Sequence, residues 1–132
     1  MSLTHVPANL RRLVRERANN CCEYCRIPEE VCFEVHQIDH VIAEKHGGQT
    51  VEENLALSCT ICNRRKGADL AAIDPQSGEV IPLFHPRKNK WADHFRFEGP
   101  RLVPLSAIGR ATVNLLKLNT STRIEERNAM SK

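Results

Sequence analysis

Between Phe33 and Gly67 the chain collects an acid, a base, an amide and several cations. They are Asp39-His40, then Gly47-Gly48, then Asn54, then Cys59-x-x-Cys62-Asn63 running into Arg64-Arg65-Lys66. Hydrolysis of a phosphodiester needs a water activated by a base, a cation to neutralise the developing charge, and a group that fixes the base. Asp39 and Asn63 offer hard oxygen ligands, and a sparse oxygen site completed by water suits Mg²⁺ or Mn²⁺. His40 reads as the general base, because an imidazole accepts a proton near neutral pH. Asn63, opening a helix, brings the favourable end of a helix dipole towards a phosphate. Arg64, Arg65 and Lys66 form a compact basic group of the kind that contacts a nucleic-acid backbone. Taken singly each residue has an ordinary explanation: an Asp-His pair at the surface, Asn54 capping a turn, Asn63 bonding its own backbone. Their order and spacing between two cysteine pairs point to a metal-dependent phosphodiesterase site.

The cysteine pairs are Cys22-x-x-Cys25 and Cys59-x-x-Cys62. Four thiolates in two knuckles satisfy a tetrahedral Zn²⁺ with soft ligands and no open position, so the expected zinc is structural. It would tie the N-terminal helix to the hairpin and helix that follow. Two thioredoxin-like dithiols are the weaker reading, since neither pair follows a strand in a βαβ pattern. Cys21 adjoins Cys22 and is an alternative ligand, although the spacing favours Cys22. Cys32, on an apolar strand, reads as a small buried hydrophobe.

The elements that must position these groups follow from periodicity. Val6, Leu10, Leu13, Val14 and Ala18 share a helical face behind Pro7, and Asn19-Asn20 closes that helix. Arg26 to Glu30, with Pro28, reads as loop. Val31 to His40 reads as a strand on the alternation of Phe33, Val35 and Ile38, and Asn54 to Ser58 as a second, antiparallel strand. Ala43 to Glu53 between them is a compact loop. A helix is expected from Thr60 to about Leu70. Further on, Asp74-Pro75-Gln76-Ser77-Gly78 signals a turn between Ile73 and Val80-Ile81. A helical turn or strand follows around Trp91 to Phe97, then an extended piece from Arg101 to Leu105. Ser106 is placed to cap a helix through IGRATVNLLKL, and the polar residues from Asn119 on are either a loose helix or a tail.

Composition adds bounds. Aromatic residues are only 5% and charged residues 27%, which implies a thin core that a metal staple would help. The net charge of +3 permits binding to a polyanion without demanding it. Arg87-Lys88-Asn89-Lys90 is a second compact basic group that would extend a phosphate path. No apolar run precedes a cleavage site, and no stretch approaches the roughly 18 apolar residues of a membrane span. The expectation is a soluble, cytoplasmic protein with no membrane partner.

Taken together, these motifs resemble the HNH endonuclease family, in its small bacterial stand-alone type with a four-cysteine zinc knuckle. The residues that carry the resemblance are Cys22-Glu23-Tyr24-Cys25, Asp39-His40, His46-Gly47-Gly48, Asn54-Leu55-Ala56-Leu57-Ser58-Cys59-Thr60-Ile61-Cys62-Asn63 and Lys66-Gly67. DPQSGEVIPLFHPR, WADHF and GRATVNLLKLN are similar to the C-terminal half of such members. The resemblance implies an α+β fold with a ββα-metal (His-Me finger) core, zinc knuckles and flanking helices. It implies that His40 activates water, that Asp39 and Asn63 hold one divalent cation, and that Asn54 braces the loop and orients His40. Many relatives carry His where Asn63 stands, while the HNH domains of CRISPR nucleases carry Asn there and are active. Ala43 stands where Pro is common.

The chain is accordingly expected to be a single domain over 1–132, with a core of about 19–72, an extension of about 73–119 and a polar tail of 120–132. The implied function is metal-dependent hydrolysis of DNA, without base-specific readout because no separate recognition element is visible. The alternative is a zinc-stapled nucleic-acid-binding module without catalysis. His36, His46, His85 and His94 have no assigned role.

Overall fold

In the computed structural model, which describes residues 5–130, helix α1 (Ala8–Arg17) opens the chain behind Pro7, whose carbonyl accepts from Arg11 N–H at 3.0 Å. Its apolar face, with Val6, Leu10, Val14 and Ala18, packs on Leu55, Leu57 and Ile38. The helix stops at Asn19 and Asn20, which take φ values of 54° and 57°. Asparagine tolerates this left-handed region better than most residues, and the reversal turns the chain into the first cysteine knuckle.

Strands β1 (Gln37–His40) and β2 (Leu55–Ser58) pair antiparallel with Asp39 opposite Ala56 and His40 opposite Leu55. Helix α2 (Thr60–Lys66) follows β2 directly. The expected strand over 31–40 forms only in its last four residues. A single 3-10 turn spans Glu29–Val31, and Phe33 and Val35 are both exposed, Phe33 completely. β2 is too short to pair with the earlier residues, so their backbone is held by side chains instead. Glu29 Oε2 accepts from His36 N–H at 2.7 Å and from Arg15 Nη1 at 2.6 Å, and Arg15 Nη2 donates to the His36 carbonyl at 2.8 Å. Cys32 lies in this irregular segment and is half-buried, not a core residue of a strand. Helix α2 also ends earlier than about Leu70. Gly67 takes φ 51° and ψ −128°, a conformation open to glycine and costly for other residues, and it breaks the helix after Lys66.

These elements belong to one compact unit, which ends at Ala68; a second begins at Asp69. In the second, β3 (Ala71–Ile73) and β4 (Val80–Pro82) make a hairpin. Its turn is organised by Asp74, whose carboxylate accepts from Gln76 N–H at 2.9 Å and Ser77 Oγ at 3.0 Å. Next come α3 (Trp91–His94), β5 (Phe95–Glu98), β6 (Arg101–Pro104), α4 (Ala107–Leu116) and α5 (Ser121–Met130). Ser106 caps α4 by accepting from Gly109 N–H at 3.0 Å. Arg110 of α4 grips Asp74 with two hydrogen bonds, each of 2.9 Å. Leu83, Phe84, Phe95, Leu102, Ala111, Leu116 and Leu118 are buried here. Of the two readings for the residues past Asn119, the helix is the one adopted, anchored by Arg127 Nη2 on the Leu118 carbonyl at 2.6 Å; residues 131–132 lie outside those described. Among the described residues no helix is long and apolar enough to cross a membrane.

Candidate active site

The two knuckles meet. Cys22, Cys25, Cys59 and Cys62 are all buried, and their four sulfurs lie within 4.8 Å of one another. The Cys25 and Cys59 sulfurs are 3.8 Å apart, too far for a disulfide. A tetrahedral zinc with Zn–S bonds of about 2.3 Å requires sulfur–sulfur edges of about 3.8 Å, so the set fits a structural zinc with only slight contraction. Backbone N–H groups already turn to the sulfurs: Cys25 N to Cys22 Sγ at 3.5 Å and Cys62 N to Cys59 Sγ at 3.4 Å. Burial, then the neighbouring sulfurs, push the Cys25 thiol well up. The sulfurs of Cys22, Cys25 and Cys59, then burial, do the same to Cys62. Such a cluster ionises fully only around a cation. Cys21 is outside the cluster and half-buried, which leaves Cys22 as the ligand of that pair.

Asp39, His40, Asn63 and Arg64 line one cavity of about 920 Å³, with Gln37, Glu44 and Lys45 also on its wall. Strand β1 brings Asp39 and His40 to it, and helix α2 brings Asn63 and Arg64. Asp39 is buried, and its Oδ2 accepts from the Tyr24 hydroxyl at 2.9 Å and pairs with Lys66 Nζ at 3.2 Å. Burial raises its carboxyl above the ordinary range, against the lowering influence of Lys66 and Tyr24. The Tyr24 phenol is raised well above its usual range by burial and by the Asp39 charge. His40 is also buried, with Nε2 at 2.8 Å from Thr50 Oγ1. The Asn63 carboxamide nitrogen donates to Gln37 Oε1.

The connection between the strands is fixed by Asn54. Its Oδ1 accepts from Ile42 N–H at 2.9 Å, and its Nδ2 donates to the Ile42 carbonyl at 3.0 Å and the Gln49 carbonyl at 2.9 Å. Asn54 does not line the cavity; it braces the loop that carries Thr50 to His40. Gly48 passes so close to Ile42 that a Cβ there would stand 1.7 Å from the Ile42 carbonyl oxygen and 2.8 Å from Asn54 Nδ2. The Gly47-Gly48 pair thus has two separate reasons, since Gly47 has φ 93° with open space around it.

Residues 22–69 match the HNH endonuclease family. The matched stretch, little more than a third of the chain, contains both knuckles and every cavity-lining residue named above. HNH domains are in general nucleases that act on nucleic acid. No curated protein and no solved structure gives a significant match to the chain.

Within the HNH region the three basic residues after Asn63 part company. Arg64 is exposed at the cavity and Arg65 is half-buried, but Lys66 is buried and turned inward, its Nζ on Asp39 and on the His40 carbonyl at 3.3 Å. The surface role expected for Lys66 is therefore not available to it. A buried Lys is tolerated only when paired, and the Asp39 carboxylate is the pair. Tyr24, Thr50 and Glu23 were not singled out by sequence. Glu23 is buried and accepts from Leu57 N–H at 2.8 Å, tying the knuckle to β2. Of the unassigned histidines, His36 is buried with Nε2 on the Ile27 carbonyl at 2.9 Å, and His46 is exposed. In the second unit, His85 Nδ1 accepts from Arg87 N–H at 3.1 Å, and His94 Nδ1 shares a hydrogen bond with Ser106 Oγ at 2.6 Å.

Proposed function

We propose that this protein is a metal-dependent endonuclease that hydrolyses DNA phosphodiester bonds by a one-metal mechanism on a ββα-metal core formed by β1, β2 and α2. The observation that carries the reading is the convergence of Asp39, His40, Asn63 and Arg64 on one cavity. Asp39 and Asn63 bring a carboxylate and a carboxamide oxygen, a hard donor set that fits Mg²⁺ or Mn²⁺ with water completing the shell. Such a cation, when bound, supplies Lewis-acid stabilisation of the charge that develops on the phosphate.

The remaining work falls to the chain. With its proton on Nε2 and donated to Thr50, His40 keeps the Nδ1 lone pair for a water attacking phosphorus and takes that water's proton, while the bond from phosphorus to the leaving ester oxygen breaks and that oxygen takes a proton from solvent. Asn54, through the loop it braces, keeps Thr50 and hence the ring in place. Arg64, exposed at the cavity, meets a non-bridging phosphate oxygen, with Arg65 beside it. Tyr24 holds Asp39 Oδ2, so the Asp39 oxygen left for a cation is Oδ1. The knuckle zinc is structural and takes no part in the chemistry.

The test is plasmid nicking by zinc-loaded protein with Mg²⁺ or Mn²⁺, with EDTA, and with His40→Ala in parallel. Metal-dependent cleavage that disappears in the variant is expected. A folded, zinc-loaded protein that binds DNA but cuts neither duplex, single-stranded nor branched substrates would instead be a non-catalytic nucleic-acid-binding module.

A further inference from the structure

Helix α2 carries two residues towards β1 from the same face, three positions apart: Asn63 and Lys66. Asn63 faces the cavity, while Lys66 reaches past it to the carboxylate that Asn63 is proposed to assist. The ammonium stands 3.2 Å from Asp39 Oδ2 with side-chain exposures of 2% for Lys66 and 6% for Asp39, so water screens the pair little. It also donates to the carbonyl of His40 at 3.3 Å, the residue next to Asp39. Lys66 thus contacts both halves of the Asp39-His40 pair and brings a full positive charge to the place where a divalent cation would have to bind. No metal is needed for Asp39 to be buried as a carboxylate, because the chain supplies its own counter-ion.

We propose that Lys66 is an internal counter-ion that opposes the divalent cation at Asp39, and that it holds the metal affinity of the site low. The proposal rests on the reading of Asp39 as a cation ligand. Its physical basis is Coulombic. A buried monovalent cation within a few ångströms of a divalent one repels it strongly, and removing the lysine charge leaves a buried carboxylate whose best remaining partner is the metal. The exposed Arg64, on the same helix, bears the same charge but is screened by solvent. The site is therefore expected to fill when an anionic phosphate arrives to offset the surplus positive charge, and to empty when nucleic acid leaves.

The experiment is Mn²⁺ binding to zinc-loaded protein without nucleic acid, read by titration calorimetry and by the electron paramagnetic resonance of free Mn²⁺, so no turnover is involved. Lys66→Gln, which keeps a hydrogen-bond donor, and Lys66→Met should each bind Mn²⁺ about tenfold or more tighter than wild type. Arg64→Gln should change affinity less than about threefold, and Lys66→Arg should match wild type. Asp39→Asn should weaken binding and cancel the gain in the double variant. Folded Lys66→Gln and Lys66→Met proteins with wild-type affinity, alongside a weakened Asp39→Asn, would overturn the lysine's role and leave the metal site standing. Wild-type affinity in Asp39→Asn would place the cation elsewhere and overturn both. If the lysine variants do not fold, the wild-type protein decides: the Lys66 side-chain carbon resonances should shift on Mg²⁺ saturation, and their constancy would overturn the proposal.

Discussion

Asn54→Ala tests how the loop between the strands is held. The side chain makes three hydrogen bonds, one accepted from Ile42 N–H and two donated to the carbonyls of Ile42 and Gln49, at 2.9 to 3.0 Å, and the residue is buried. Alanine removes all three and leaves three backbone groups without that partner. At about 1 kcal/mol per hydrogen bond, and more for any group left unsatisfied, the loss is about 3 kcal/mol. That is a large share of the 5–15 kcal/mol of a typical domain. Asn54→Asp is expected to do no better: it keeps the acceptor for Ile42 N–H but sets a carboxylate oxygen against two carbonyl oxygens. Urea unfolding of zinc-loaded protein is the assay, and the chain offers two separate reporters, its single tyrosine in residues 1–68 and its single tryptophan in residues 69–132. The loss should appear in the Tyr24 transition. An unfolding free energy, read at Tyr24, within about 0.5 kcal/mol of wild type would refute the bracing role.

Three other outcomes are expected. Gly48→Ala should cost about 1–3 kcal/mol or more, because its Cβ would collide with the Ile42 carbonyl oxygen, and Gly47→Ala, in open space, only about 1 kcal/mol; equal effects in urea unfolding would contradict the close approach. Removing zinc with a chelator should abolish the Tyr24 transition and restore it on adding one equivalent of Zn²⁺, whereas full cooperativity in metal-free protein would refute a structural zinc. Asp74 is held well below the ordinary carboxylate range, chiefly by its hydrogen bonds from Arg110. A depressed carboxylate adds stability above its unfolded pKa of about 3.9 and loses it as pH falls towards the folded value. Asp74→Asn should therefore lower stability by a constant amount from about pH 5 to 8, with the difference from wild type closing below about pH 4; a difference unchanged at pH 2 in Trp91-monitored melts would refute this.

Much of the fold was legible because its signals are local. Pro7 and the apolar face of α1, the Asp74 to Gly78 turn and the Ser106 cap each depend on residues within a turn of one another. The strand over 31–40 was misread because alternation describes a pleated surface but supplies no partner. Phe33 and Val35 alternate as a strand would, yet β2 offers pairing only to the last four residues. Lys66 was misread for the opposite reason. It belongs to a basic run, and runs of charge read as surface, but on a helix it lies four residues from the buried Cys62 and so on an inward face. Applying the helical period to charged as well as apolar residues would have turned it inward. Thr50 carried no signal, because its contact with His40 spans ten residues of irregular loop.

The cysteine cluster and the cavity are linked by the two residues enclosed in the first knuckle. The spacing of Cys22 and Cys25 fits one half of a zinc site, but it says nothing of Glu23 and Tyr24 between them. Both are buried, and both bond to the hairpin: Glu23 takes Leu57 N–H on β2, and Tyr24 donates to Asp39 on β1. Glu23 N–H also donates to the Leu57 carbonyl at 2.8 Å, so the knuckle is bonded to β2 from backbone and side chain together. A tight turn held by a metal has little freedom left, and residues inside it inherit that rigidity. The same turn that orients two sulfurs therefore fixes a carboxylate and a phenol as supports for the strands. This gives the cluster a reach beyond its own ligands, since the position of Asp39 depends on a hydroxyl whose backbone is anchored between two of the four cysteines.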